Sequence, residues 1–277
     1  MRITELLELP LSDFINISEK LQKVESGEIK RLMVFLPPRS SKSVICSKLF
    51  PAWYVGRHPQ HEILTVSHSD QLASDFGRSV RDLVNFDLFN TVFPDVTLRS
   101  DVRAAGKWKT NQGGTYYAAG VRSQIAGRGA HVAILDDVMS EEDSFSETGR
   151  RYVKEWYPSG LRTRIMPNGS ILIINTRYHY DDLCGWLLKQ QENVGDYAVT
   201  PWDVVRIPAW LDEESASLLQ LPVGSSYFPA IVDDSSLAPT VLASKCQHLL
   251  QPCGVPPKTG SNRTRNTRAL VNSLGSS

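Results

Sequence analysis

The sequence lacks several features that would place it in a special class. No run of about 18 apolar residues is present, so no segment is predicted to cross a membrane as a helix. The first residues, MRITELLELP, are acidic and interrupted by proline, unlike a secretory signal peptide. Cysteine is scarce, and no two cysteines have zinc-ligand or redox-motif spacing. The simplest interpretation is an intracellular protein with four reduced thiols: Cys46, Cys184, Cys246 and Cys253.

The sequence also lacks net charge, because 30 Lys and Arg balance 30 Asp and Glu. Bulk charge therefore gives no argument for nucleic-acid binding. The balance is uneven along the chain, since residues 251–277 contain no acidic residue and four basic ones: Lys258, Arg263, Arg265 and Arg268. A hydrophobic content of 41% with 22% charged residues is typical of a chain that is mostly globular.

Residues 30–45 contain the stretch around which the rest of the chain is organised. The apolar run 32–36 is long enough for one buried strand and too short for a helix. Two prolines end it, because proline donates no hydrogen bond to a sheet. A short loop then leads to a predicted helix over 44–55. Strand, loop, Lys-Ser and helix is the layout of a phosphate-binding loop, in which backbone N–H groups and a lysine hold phosphates and a hydroxyl holds Mg²⁺.

The match to the phosphate-binding pattern G-x-x-x-x-G-K-[ST] is incomplete. Leu36 and Ser41 occupy the two glycine positions, and only Lys42 and Ser43 agree with the pattern. Ser41 can replace glycine if its backbone stays out of the positive-φ region, which glycine alone occupies freely. From this segment alone, the alternative is an ordinary strand ended by proline and followed by a serine-capped helix.

A second informative strand, predicted over 131–137, ends in two adjacent carboxylates, Asp136 and Asp137. Ligands of open α/β sheets bind at the carboxyl ends of the strands. One carboxylate there can hold Mg²⁺, and the other can orient or deprotonate an attacking water. The alternative is a solvated Asp-Asp turn. Together with Lys42 and Ser43, however, the two halves of one phosphate site occur in the right order.

The intervening segments alternate between helical and strand patterns, which favours βαβ units and a parallel sheet. The glycine-rich segment 120–129 is predicted to be a loop, and it is either a plain surface loop or a phosphate contact through Arg122 and Arg128. Helices are predicted over 13–28, 71–85, 150–157 and 181–191; strands are predicted over 62–68, in short pieces within 97–121, and over 170–175 after a turn at Pro167-Asn168-Gly169.

Together these segments resemble the ATPase domain of phage terminase large subunits, the motors that package DNA into capsids. The resemblance covers residues 13–235 and is carried by four segments: 27–43, 64–84, 120–137 and 170–183. It implies an α/β fold of the P-loop NTPase type, with a central mainly parallel sheet flanked by helices as in RecA-like and helicase-like ATPase cores. It also implies ATP and Mg²⁺ as substrate and cofactor.

The resemblance assigns roles to residues of the loop. Lys42 resembles the Walker A lysine, Ser43 the Mg²⁺ ligand, and Arg39 the additional arginine of the terminase loop. The residues expected to hold the phosphates are Pro38, Arg39, Ser40, Ser41, Lys42 and Ser43.

The resemblance also assigns roles to residues at later strand ends. Asp136 resembles the Walker B aspartate on Mg²⁺. Asp137 takes the place of the catalytic glutamate, with a side chain one methylene shorter. Thr176 and Arg177, after the strand 170–175, resemble the motif that couples hydrolysis to movement and would sense the γ-phosphate. Arg128 is a candidate phosphate-sensing or trans-acting arginine.

The implied partners are double-stranded DNA, a portal protein and a small terminase subunit, in a homo-oligomeric ring when active. The implied location is the host cell cytoplasm, transiently at the procapsid portal, with no secretion and no membrane partner. The expected organisation is a helical lead-in over 1–29, an ATPase domain over 30–208, a linker over 209–236 toward a nuclease domain that this chain does not contain, and a tail over 237–277.

The tail is predicted to be disordered on composition. It is either an aberrant product of a disrupted reading frame or a genuine basic tail that contacts DNA phosphates. For the chain as a whole, two other functions stay open: a degenerate nucleotide-binding or DNA-binding module without turnover, and a helicase-like ATPase outside packaging.

Overall fold

The computed structural model describes most of the chain up to residue 208. The described residues are 11–38, 40–123, 125, 127–193 and 200–208, with positions 212, 213, 216, 217, 223 and 224; for 11–14 and 193 only the backbone is described. Arg39, residues 1–10 and the predicted tail over 237–277 lie outside these ranges, as does most of the predicted linker over 209–236.

An eight-stranded, mostly parallel sheet forms the centre of the fold, in the order β3-β4-β5-β2-β6-β7-β1-β8. Strands β5, β2, β6, β7, β1 and β8 run parallel to one another, and β4 pairs antiparallel with both β3 and β5. The predicted α/β class with a mainly parallel sheet is confirmed. The strands are β1 (Arg31–Phe35), β2 (Glu62–Ser67), β3 (Leu98–Ala104), β4 (Lys107–Thr110), β5 (Thr115–Gly120), β6 (Ala130–Asp136), β7 (Ile165–Asn175) and β8 (Asp203–Arg206).

Helices accompany the strands along the chain, and among the described residues none is long and apolar enough to cross a membrane. The α-helices are α1 (Leu11–Ser26), α2 (Phe50–Arg57), α3 (Asp70–Val84), α4 (Asp87–Val92), α5 (Glu141–Phe145), α6 (Glu147–Trp156) and α7 (Leu183–Asn193). Ser69 begins α3 as predicted, since its hydroxyl accepts a hydrogen bond from the backbone N–H of Leu72.

Two apolar layers cover the two faces of the sheet. Alternate residues of a strand point to opposite faces. Accordingly Leu32 and Val34 of β1 pack in one layer, while Met33 and Phe35 pack in the other. Helices α1, α2 and α3 contribute to the first layer, and α6 and α7 to the second. Because both faces are buried, the central strands are continuous apolar runs, which is why the sequence predicts them.

The helix predicted over 44–55 is confirmed, with a π-helical first part, Val44–Leu49, that continues into α2. One local prediction is wrong. The turn predicted at Pro167-Asn168-Gly169 does not precede β7 but lies within it, where the pairing register with β6 shifts. Asn168 has a φ of 66° there. Asparagine tolerates this left-handed conformation better than most residues, so the same signal serves a bulge as well as a turn.

Because the central strands are parallel, all their carboxyl ends lie on one side of the sheet and all their amino ends on the other. We call these two sides the carboxyl edge and the amino edge. At the amino edge three histidine rings stack: His58 on His61 with centroids 4.6 Å apart, and His61 on His131 at 4.1 Å. The Tyr54 hydroxyl lies 2.9 Å from Nδ1 of His61, and Glu25 lies 2.8 Å from His58. Burial, and then the proximity of His131 and His58, lower the pKa of His61 to about 4.

We predict that the folded state loses stability as the pH falls below the ordinary pKa of histidine, because of His61. The pKa of His61 is lowered from its ordinary value of 6.5 to about 4, so the unfolded chain binds the proton more tightly. The contribution is present above about pH 6.5 and is lost as the pH falls toward 4. Allowing for solvent screening, the free energy of unfolding should fall by about 1–2 kcal/mol between pH 7 and 4.5 in urea titrations.

The matched pair of variants for this test is His61→Gln and Gln60→Ala. The first removes the titrating ring from the stack and should reduce the pH dependence. The second removes the neighbouring exposed side chain, which does not titrate, and should leave the pH dependence unchanged. An equally steep fall in stability in His61→Gln would contradict the prediction.

Candidate functional site

At the carboxyl edge, the loop after β1 meets the end of β6. The Ser43 hydroxyl donates to Oδ1 of Asp136 at 3.1 Å, and Nζ of Lys42 lies 3.6 Å from Oδ2 of Asp137. Strand β7 lies between β1 and β6, so this meeting depends on the sheet order and on the parallel direction of all three strands. The two halves of the predicted site are therefore brought together, although 93 residues separate Ser43 from Asp136.

Asp136 is the buried centre of the site, with 1% of its surface exposed. Ser43 donates to one carboxylate oxygen, and the fully buried Ser47 donates a short hydrogen bond to the other. Burial, and then the charge of Asp137, raise the pKa of Asp136 to about 6, although the two serines and Lys42 oppose that rise. Ser47 was not predicted; its only sequence signal is its position four residues after Ser43 on the helical segment.

Asp137 follows β6 and adopts a left-handed backbone conformation, with a φ of 43°. Its backbone N–H donates to the carbonyl of Ile174 at 2.9 Å, and its carbonyl accepts from the backbone N–H of His68 at 3.2 Å. Its Oδ1 accepts from the backbone N–H of Thr176 at 2.7 Å, while Oδ2 faces Lys42. Asp137 is thus anchored to the ends of both strands that flank β6.

The condition under which Ser41 was expected to replace glycine, a backbone outside the positive-φ region, is not met, since Ser41 has a φ of 54°. The serine therefore takes the conformation that a glycine would take at low cost. A left-handed conformation costs a residue with a Cβ atom about 1–2 kcal/mol. This strained residue lies where the helical segment starts. Its carbonyl accepts a hydrogen bond from the backbone N–H of Ile45.

Two hydroxyls at this edge are buried without a hydrogen-bond partner among the described residues, those of Ser40 and Ser67. Ser40 lies in the loop, and Ser67 is the β2 residue that pairs with Asp136. A buried hydroxyl without a partner costs about 1–3 kcal/mol, and most such groups in proteins have one. The Ser40 hydroxyl without a partner is what we expect of a loop that binds a polar ligand, because the ligand would form the missing hydrogen bond.

Oxygen donors suited to Mg²⁺ are present in the Ser43 hydroxyl and the Asp136 carboxylate. Magnesium commonly binds one or two protein oxygens and keeps several waters, so this donor pair fits the ion. Among the described residues, no three His, Cys, Asp or Glu side chains converge as a metal-binding group. Lys42, Asp136 and Asp137 line neither of the two surface clefts found elsewhere on the chain, and the Lys42–Asp137 contact lies between loop and strand.

The other predicted residues lie at different distances from this centre. Thr176 is buried and contacts Asp137 through its backbone N–H. Arg177 is directed to the buried Asp182, with Nε 2.6 Å from Oδ2, and its guanidinium lies 5.1 Å from the ring centroid of Phe35. The predicted sensing residue is therefore engaged in a buried ion pair beside the site.

Arg128 and Pro38 are less closely connected to the site. The guanidinium of Arg128, which comes two residues before β6 begins, lies 4.7 Å from the ring centroid of Tyr117 within β5, a cation–π contact. Pro38 is exposed in the loop. Neither residue has a described hydrogen bond or ion pair with Lys42 or with the two aspartates.

Comparison with known proteins does not assign the chain to a family. No family model matches it, and no curated protein is similar to it.

We predict that Ser41→Gly stabilises the fold. Glycine occupies a φ of 54° without the Cβ penalty, and the gain is partly offset by the greater freedom of glycine in the unfolded chain. The free energy of unfolding should rise by about 0.5–1 kcal/mol, measured by urea denaturation. The control is Ser41→Ala, which retains the Cβ atom and should give no such gain. A destabilised Ser41→Gly would show that the hydroxyl matters more than the strain.

Proposed function

We propose that this chain is a Mg²⁺-dependent ATP hydrolase of the P-loop type, the ATPase motor domain of a DNA-packaging terminase large subunit. The observation that carries the proposal is the meeting of Lys42 and Ser43 with Asp136 and Asp137 at the carboxyl edge of a parallel sheet. Phosphate-binding loops of this type follow the first strand of such a sheet and face an acidic strand end.

Phosphoryl transfer of this kind depends on positioning and electrostatic stabilisation. Lys42 and the backbone N–H groups of the loop would hold the phosphates, and Ser43 and Asp136 would hold Mg²⁺, which when bound neutralises charge on the β- and γ-phosphates. Asp137 would orient the attacking water and accept its proton. The backbone N–H of Thr176 keeps the Asp137 carboxylate in one position. Such fixed positioning favours aspartate as the base, although its side chain is shorter than that of glutamate.

The same hydrogen bond supports a coupling role for the end of β7. Thr176 links Asp137 to the segment in which Arg177 binds the buried Asp182, and Asp182 accepts a hydrogen bond from the backbone N–H of Gly185 at 2.8 Å, in α7. A shift of the Asp137 carboxylate during hydrolysis would therefore reach α7 through three contacts. In this proposal Arg177, which follows β7, acts on α7 through its ion pair with Asp182.

The terminase assignment is supported by the four segments that resemble that family. It carries the partners that the resemblance implies: double-stranded DNA, a portal protein, a small terminase subunit and further copies in a ring. The tail over 237–277 and Arg39 enter the proposal through the sequence alone, because they lie outside the described residues.

A second candidate function, nucleotide binding without turnover, is favoured by one contact. The amino group of Lys42 lies 3.6 Å from Asp137, so the lysine expected on phosphate neutralises the residue expected to activate water. Both side chains are largely buried, which strengthens such a contact relative to a surface ion pair. Phosphate must displace Asp137 from Lys42 before Asp137 can act as a base.

The experiment that separates these functions is Mg²⁺-dependent ATP hydrolysis with and without double-stranded DNA. We predict turnover in the unmodified protein and a loss of at least about 100-fold in both Lys42→Ala and Asp137→Asn. The matched control is Lys48→Ala, which removes a lysine from the same helical segment and should retain turnover. Nucleotide binding without turnover would support the second candidate, and the absence of both binding and turnover would contradict both.

A further inference from the structure

A basic cleft of about 310 Å³ lies at the amino edge of the sheet, opposite the candidate nucleotide site. Three cationic side chains line it: Lys30 and Arg31 at the start of β1, and Arg162 just before β7. The floor includes the backbone of Asn168 and Gly169, the bulged part of β7. No carboxylate is among the described residues that line the cleft.

Neutral groups hold two of these cations in place. Nζ of Lys30 donates to the carbonyl of Asn168 at 2.7 Å. Arg31 Nη1 donates to the carbonyls of Lys30 and Gly169, at 2.7 and 3.2 Å. Carbonyl acceptors fix the direction of a cation but do not neutralise its charge. The bulge in β7 therefore positions positive charge without compensating it.

The like charges of the cleft act on one another. Burial is the largest influence on Arg31 and lowers its pKa; Tyr157 opposes that shift, and the charge of Arg162 adds to it with a smaller effect. Nearby acidic residues are engaged elsewhere: Glu28 pairs with Lys23 at 3.0 Å, and the charge of Glu62 acts on His131. An anion in the cleft would relieve this repulsion, whereas a purely structural role would favour a carboxylate partner.

We propose that this cleft binds a phosphate group, at a second anion site separate from the Lys42 loop. Guanidinium groups match phosphate oxygens in pairs, and a lysine adds a point charge. The cleft is open and its volume is at the small end for ligand sites, which suits one or two phosphates rather than a whole nucleotide. The phosphate belongs either to a free oligophosphate or to the backbone of a nucleic acid. The inference does not rest on the proposed ATPase function.

The test is a titration of the ¹⁵N-labelled protein, with the backbone amide signal of Gly169 as a local probe. Sodium pyrophosphate is added in one series and a duplex DNA oligonucleotide of about 20 base pairs in another. We expect a saturable shift at Gly169 with at least one of them. A response to pyrophosphate alone identifies the free-phosphate source, and a response to the duplex identifies the nucleic-acid source.

Two variants of equal net charge complete the test. Arg162→Gln removes an exposed cation of the cleft and should raise the Kd about 5- to 10-fold; for the duplex it should reduce the slope of log K against log salt by about 1. Arg151→Gln removes an exposed arginine from α6, paired there with Glu155, and should change neither value. If Arg162→Gln perturbs folding, Lys30→Gln replaces it with the same expectation. The absence of a saturable shift at Gly169, or equal losses in the cleft variants and Arg151→Gln, would overturn the proposal.

Discussion

The carboxylate of Asp136 is buried at the end of β6 and requires hydrogen-bond donors. The arrangement of residues at the carboxyl edge of the sheet depends on this requirement. A buried carboxylate without donors costs several kcal/mol, so Ser43 and Ser47 each supply one. Both serines come from the chain after β1, which must therefore turn sharply after Leu36. Ser41 adopts its left-handed conformation in that turn. The loop geometry that supports the proposed phosphate binding thus also supplies the hydrogen bonds of a buried carboxylate.

The parallel sheet gives the two ends of the molecule opposite chemistry. Its buried faces pack against helices on both sides and leave polar groups to the strand ends. At the carboxyl edge, aspartates meet a lysine and serine hydroxyls. At the amino edge, three stacked histidines and a cleft with Lys30, Arg31 and Arg162 collect groups that are cationic or can become so. The two proposed anion sites therefore lie at opposite ends of the strands, with the proposed metal ion at the carboxyl edge.

Much of the fold and part of the site could be predicted from the sequence, for identifiable physical reasons. Strands β6 and β7 are recognisable because burial on both faces makes them continuous apolar runs. Lys42 and Asp136 could be placed together because parallel strands share one carboxyl edge. Features set by tertiary contacts could not be predicted. The sequence does not show which residue a serine within a helix will bind, so the role of Ser47 was not predicted. The ion pair between Arg177 and Asp182 depends on how the segment after β7 folds back.

The most direct test of the central claim is a crystal structure of the protein with Mg²⁺ and a non-hydrolysable ATP analogue. The account predicts that the triphosphate lies in the loop after β1, with Nζ of Lys42 moved from Asp137 to the phosphates. It also predicts Mg²⁺ beside Ser43 and Asp136, and the Ser40 hydroxyl hydrogen-bonded. An analogue bound elsewhere, or a Lys42 still paired with Asp137 at saturating analogue, would contradict the assignment of this edge as a nucleotide site.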